Sequence, residues 1–388
     1  MFKTFLILIL IRPFISSLAF PYLNFIYSYL FLGFLLAWIT IKKKVTVTPF
    51  VTVTFCSLRA IKYPLILFSL ALVISILLSL NKLNSFKELY KYVTGLSLFL
   101  IASSLNYKDK TRLIRVIVFA GFIISLLAIY QYFFGFKHIL EYIHKAKITC
   151  PFALDYISRK RIFFPFVTPN TLAGYLIMII PLALIYQDKI LLIIPLFFAL
   201  LLTQSLGALL SLLLGLLIYF YLRGKLKKRK ILFLLSLLII TGVVFITRSI
   251  TQLQHAKPCF SIMMRLNYWQ ETLKIIKAHP LTGVGLGNFN LPESRYSHNT
   301  YLQICSEIGI LGIISFLWLV FSAFKIGLRN IQKKTTVGLL QNTLKVSFRP
   351  AICLFTANLI FLIHNLLDFT FFLPEVSLLW WVILGLLV

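Results

Sequence analysis

Acidic side chains are scarce in this chain: 10 Asp and Glu stand against 39 Lys and Arg in 388 residues, a formal charge of +29. All charged residues together make up 13% of the sequence while 60% is hydrophobic, whereas an ordinary soluble domain is about a quarter charged. That balance excludes a soluble globular protein and implies an integral membrane protein. The five cysteines (Cys56, Cys150, Cys259, Cys305, Cys353) show no CxxC and no Cys/His spacing of a zinc site. The glycines at 283, 285 and 287 lack the GK[ST] of a phosphate-binding loop and follow no strand pattern, which argues against a nucleotide site. A plain turn or an anion-binding nest of backbone N–H groups are the readings left for them.

What is present is apolar sequence from end to end, broken by short basic clusters: "IKKK" at 41–44, "RGKLKKRK" at 223–230 and "NIQKK" at 330–334. Their placement between apolar runs follows the positive-inside rule for cytoplasmic loops. Nucleic acid is not the partner, because no loop on that side is long enough to fold into a basic surface. Runs of roughly 17–24 residues cross about 30 Å of hydrocarbon as a helix. They occur near 4–20, 22–41, 63–80, 89–105, 113–136 and 170–187. Shorter or less separable ones follow near 189–203, 206–222, 231–247, 300–324, 351–368 and 376–388. The fold class expected is all-α and polytopic, a single membrane domain over 1–388 with about 12 transmembrane helices. The N-terminal run resembles a signal peptide without a cleavage pattern and is read as a retained first span. With the N-terminus in the cytoplasm, two longer loops, roughly 137–169 and 248–299, face outward. Cys150 and Cys259 fall in them, either as a disulfide or as two free thiols.

Polar residues near the membrane carry the functional signal. On this topology Arg161, Pro169 and Asn170 lead into the sixth span, "LTQSLGA" (202–208) turns a hairpin, and His298 and Asn299 open the tenth span. His364 and Asp368 close the eleventh, one helical turn apart on one face. All gather at the outer side. Each also has a structural reading. His298 and Asn299 cap a helix, and Asn170 is a helix start. Arg265 sits on a loop helix whose Leu266, Trp269, Leu273 and Ile276 form an amphipathic face for the membrane surface.

"RIFFPFVTPNTLAGYL" (161–176), "HPLTGVGLGNF" (279–289), "SHNTYLQICSEIGILG" (297–312) and "HNLLDFTFFLPE" (364–375) together resemble the O-antigen ligase and polymerase family of bacterial membrane glycosyltransferases. The resemblance covers about 160–388 and is strongest over 261–320, where His298, Asn299, Glu307, Gly309 and Gly312 form its most specific run. It implies a GT-C-like, metal-independent, inverting glycosyltransferase without cofactor, in the bacterial inner membrane with its active site facing the periplasm. The implied partners are an undecaprenyl-diphosphate-linked glycan donor, a lipid A core or another glycan as acceptor, and membrane lipids. By the resemblance His298 is the catalytic residue and Arg265 and Arg161 hold the diphosphate; Asn299, Asn170 and Asp368 are read beside them as residues that shape the site. The chain departs from the family at Leu206, where members often carry an arginine. The chemistry suits these residue types. Arginine forks bind phosphate oxygens in pairs, an imidazole accepts a proton near neutral pH, and neither long outer loop holds an Asp-rich cluster for Mg²⁺. Ligase and repeat-unit polymerase are both compatible with the sequence. A transporter or flippase of polyprenyl-linked sugars is the reading from another class, and it predicts broken or charged helices near the bilayer midplane.

Overall fold

The computed structural model describes residues 1–45, 50–146, 151–186, 190–224, 228–254, 261–340 and 349–388. Cys150 and Cys259, and with them any pairing between the two, lie outside the described residues. Among these the chain is all-helical, with no strand. The α-helices are α1 (Phe2–Ile11), α2 (Pro21–Val45), α3 (Phe50–Leu77), α4 (Lys82–Ser103), α5 (Tyr107–Tyr130), α6 (Phe136–Ala146), α7 (Pro151–Ser158) and α8 (Pro169–Ala183). They continue as α9 (Ile190–Thr203), α10 (Leu206–Leu222), α11 (Lys228–Gln254), α12 (Ser261–Ala278), α13 (Thr300–Leu340), α14 (Arg349–His364) and α15 (Pro374–Leu387).

Among the described residues, six helical stretches are long and apolar enough to cross a membrane: Pro21–Trp38, Ala60–Leu77, Tyr107–Glu141, Pro169–Tyr186, Lys230–Thr247 and Thr300–Gln332. Four further apolar helices, α9, α10, α14 and α15, are shorter. The first expected span, 4–20, is not one helix. α1 ends at Ile11 after ten residues, a rise of about 15 Å against the ~30 Å of hydrocarbon. Pro13 has no N–H to continue the ladder, and the buried Arg12 bends back, donating to the Ile15 carbonyl (2.6 Å) and to Asn24 Oδ1 (2.6 Å).

The described chain forms two compact units that interleave in sequence. The first comprises 1–24, 107–248 and 352–364. Its centre is α8, largely apolar on every side and buried from Thr171 to Ala183, the pattern of a helix with no solvent face. It packs against α5, α9 and α10, with Ile179 seated over Gly121 of α5. The second unit comprises 25–106, 249–351 and 365–388. Here α13 runs along α3 and α12, and α15 runs along α4. Gly95 and Gly385 let the Trp381 side chain and the Phe99 backbone come into contact with the facing helix. Phe316, Phe371, Trp380 and Trp381 form the aromatic core between α13 and α15.

One helix start and one helix end differ from expectation. Thr168, not Asn170, caps α8, its side chain accepting from the Thr171 amide (3.2 Å) with Pro169 in the first turn. α14 ends at His364, so Asp368 lies in the turn beyond it and not on a shared helical face. Asn365 forces that turn: its Oδ1 accepts from the Phe371 amide (3.0 Å) and the Thr370 hydroxyl (3.2 Å), offering the backbone an alternative to another helical turn.

Candidate functional site

The second unit builds its site around the start of α13. Asn299 caps this helix, Oδ1 accepting from the amides of Tyr301 (3.0 Å) and Leu302 (3.1 Å). His298 therefore stands one residue ahead of the cap, outside the first turn, and at φ +54°. Histidine tolerates the left-handed region better than most side chains, but at a cost. Neighbouring bonds hold it there. Ser297 Oγ donates to the Asn299 carbonyl (2.7 Å) and accepts from the Asn299 amide (3.2 Å), bracketing His298 from both sides. The Ser297 amide donates to Gln303 Oε1 (3.1 Å), and Gln303 Nε2 donates to Glu307 Oε1 (3.0 Å). Thr300 fixes the other flank through Asn365, its amide on the Asn365 carbonyl (3.0 Å) and its hydroxyl on Asn365 Oδ1 (2.8 Å).

Glu307 leads to the Gly-rich stretch. Its Oε2 accepts from the Gly287 amide (3.0 Å) and its carbonyl from the Gly285 amide (3.0 Å), while the Val284 amide donates to the Ser306 carbonyl (2.9 Å). Gly309, at φ +76° and ψ −174°, breaks the helical path of α13, and the Ile310 amide turns to the Pro280 carbonyl (2.9 Å). The glycines thus neither cradle a ligand nor form a free turn. They let residues 280–287 lie in the kink of α13, where a Cβ at 283 or 309 would run into backbone. The Glu-x-Gly run of the sequence is the receiving half of that joint.

His298 is half-buried and held by aromatic rings: stacked with Tyr268 of α12 (centroids 5.7 Å, 18°) and edge-on to Phe369 (4.6 Å, 85°). Phe369 stacks in turn on Tyr296 (4.3 Å). Burial depresses the imidazole from 6.5 to about 4, Arg265 pushes in the same direction, and Asp368 opposes it. At neutral pH the ring is uncharged, in the form that accepts a proton. Arg265 Nη2 lies 3.5 Å from Asp368 Oδ2, a loose pair next to the 2.7–2.9 Å of a strong charge-assisted bond. Three polar atoms here are buried without a hydrogen-bond partner: Arg265 Nε, Trp269 Nε1 and His298 Nδ1. Leu266 and Leu273, three residues before and four after Trp269 on α12, are exposed.

Of the expected site residues, the structure brings Arg265, His298, Asn299 and Asp368 together in the second unit. Arg161 and Asn170 belong to the first. There Arg161 is buried, Nε donating to the Thr203 carbonyl (3.0 Å) and Nη2 to Asn170 Oδ1 (3.3 Å), its guanidinium over the Tyr156 ring. This ties the chain before α8 to the α9–α10 turn, where Gln204 takes φ +52° and Leu206 begins α10. Sequence reasoning missed Tyr268, Ser297, Gln303, Asn365 and Phe369. Ser297 and Gln303 fall within the quoted motif, so their spacing to His298 was the available signal. Among the described residues no three His, Cys, Asp or Glu side chains cluster as a metal site. The family model described as O-antigen ligase (Wzy_C) matches residues 190–317, which include Arg265, His298 and Asn299 but not Arg161, Asn170 or Asp368. No curated protein matches the chain.

Proposed function

Over residues 190–317 the chain is a member of the O-antigen ligase family, and from that premise we propose that it transfers a glycan from undecaprenyl diphosphate to a sugar of the lipid A core. The observation that supports this reading is the pairing of a neutral, rigidly held imidazole with the guanidinium of Arg265, both with polar atoms lacking a protein partner. His298 takes the proton of the acceptor hydroxyl as that oxygen attacks the anomeric carbon. The bond from this carbon to the diphosphate breaks, and undecaprenyl diphosphate leaves with the electron pair. One direct displacement inverts the anomeric centre. Arg265 meets the charge that builds on the leaving group, an interaction that strengthens toward the transition state and so accelerates the step. No metal or cofactor enters this scheme. Asn299 and Asp368 shape the site, the first by fixing the helix start and the second by holding Arg265. Arg161, with Asn170 beside it, is proposed as a second diphosphate ligand on the resemblance alone.

The active site faces the periplasm in the inner membrane on this reading. Alkaline phosphatase fused within 261–299 is then active, and an inactive fusion contradicts the placement. His298→Ala is expected to lower transfer by about 10²–10⁴, the usual contribution of a general base, at normal membrane abundance. Full transfer in that variant removes the mechanism. The glycan of a deletion strain decides the acceptor: long polymer retained on the lipid carrier supports the ligase, and single repeats indicate a polymerase.

A further inference from the structure

The three unpartnered atoms are not evenly explained by that mechanism. His298 and Arg265 have roles in it, but Trp269 has none. The indole Nε1 of Trp269 is sealed from solvent and donates to nothing, although the residue as a whole is only half-buried. Tryptophan is donor-only, and its N–H finds a partner when buried in a settled core. A buried donor left unmade costs about 1–3 kcal/mol. Trp269 follows Arg265 by four residues on α12, so the two side chains lie one turn apart on the same face. Arg265 Nε, the other orphan on that helix, is also a donor. Tyr268, three residues after Arg265 on α12, packs against His298. The same helix therefore offers two unfilled donors on residues about 6 Å apart at Cβ, the first of them on the arginine whose charge acts on the imidazole, and with no carboxylate bonded to the indole.

From this we infer that the Trp269 indole N–H binds a phosphoryl oxygen of the lipid-linked donor, one turn along α12 from Arg265. The inference rests on the proposed transfer from a polyprenyl diphosphate. Its chemistry is complementary to the arginine: a neutral donor adds a directional bond without adding charge, so it fixes which oxygen faces Arg265 while leaving the electrostatics to the guanidinium. The orientation matters because the scissile bond has to point at the hydroxyl that His298 deprotonates. An amphipathic ring with its polar edge inward also suits a residue at the membrane interface, where a diphosphate between a lipid tail and a glycan is held.

Trp269→Phe removes the N–H donor and leaves a smaller aromatic ring in its place. In purified full-length protein in lipid nanodiscs, affinity for undecaprenyl diphosphate is expected to fall about 10- to 100-fold, the loss of one hydrogen bond to a charged group. The control Trp318→Phe, at an exposed position on α13, leaves it unchanged, and His298→Ala binds undecaprenyl diphosphate while failing to transfer. Wild-type affinity in Trp269→Phe overturns the inference. So does a loss seen with the glycosylated donor and not with undecaprenyl diphosphate itself, because the indole would then be holding sugar. Should wild type bind undecaprenyl diphosphate through Trp269 yet transfer no glycan, the assignment of the N–H stands and the proposed reaction falls.

Discussion

Replacing Gly309 by alanine adds one methyl group at the joint between α13 and the loop at 280–287. At φ +76° and ψ −174° an L-residue is strained, a cost on the order of 1–3 kcal/mol. The new Cβ also meets the carbonyl of Leu281 and the amide of Thr282 inside 3.0 Å. These are backbone atoms that cannot swing aside as a side chain can, so the loop has to move out. Three backbone bonds then lengthen: Ile310 to Pro280 (2.9 Å), Val284 to Ser306 (2.9 Å) and Gly285 to Glu307 (3.0 Å). At roughly 0.5–1.5 kcal/mol net for each, with the strain the total destabilisation is about 2.5–7.5 kcal/mol. The Glu307 carboxylate loses Gly287, and the chain through Gln303 to Ser297 that steadies His298 is released at its far end. Melting of the detergent-purified protein is expected to fall by several degrees, and transfer to fall with it. Gly242→Ala is the control: no atom lies within 4 Å of the added methyl, and alanine favours a helix by up to ~1 kcal/mol. Wild-type melting and transfer in Gly309→Ala would show that the loop does not depend on the kink.

The pH profile of kcat/KM tests the site electrostatics. Only the neutral imidazole accepts a proton, so activity is lost as pH falls through the depressed value of about 4. Arg265→Gln removes a cation that lowers it and moves the acid limb upward; Asp368→Asn removes the opposing carboxylate and moves it downward. Shifts of the same sign would refute the assignment. Asn299→Ala deletes the cap of α13 and is expected to cost about 1 kcal/mol in stability, read as a lower melting point. Arg161→Lys keeps the charge but loses the fork that reaches Thr203 and Asn170 together. Reduced donor affinity at unchanged melting supports the diphosphate role, and reduced melting at unchanged affinity refutes it.

The helical class and most helix positions were legible because apolar run length is a one-dimensional signal. The ends were not. Pro13 shortened α1 where hydropathy alone continued to Phe20, and Asn365 stopped α14 where the apolar pattern ran on to Asp368. The motif around His298 was readable as a set of residues, but its geometry was not. Spacing placed Asn299 at a helix start without revealing that His298 turns left-handed before it, or that the Gly-rich stretch lies in a kink at Gly309. Such joints depend on contacts between segments distant in sequence, and no periodicity encodes them. Burial also changed the chemistry: the ordinary imidazole value assumed from composition gives way to about 4 once Tyr268 and Phe369 surround the ring.

The second unit is assembled from three separate stretches, and the last of them, beginning at Asn365, carries the acceptor for the Thr300 amide, the ring edge-on to His298 and the carboxylate facing Arg265. A ribosome that has just delivered α13 to the membrane has therefore made every atom of the imidazole and the guanidinium but not what steadies them. Insertion of the helix and competence of the site are separated in time by the synthesis of one further helix, α14. A nascent chain stalled in that interval would sit in the bilayer with its imidazole and guanidinium unsteadied.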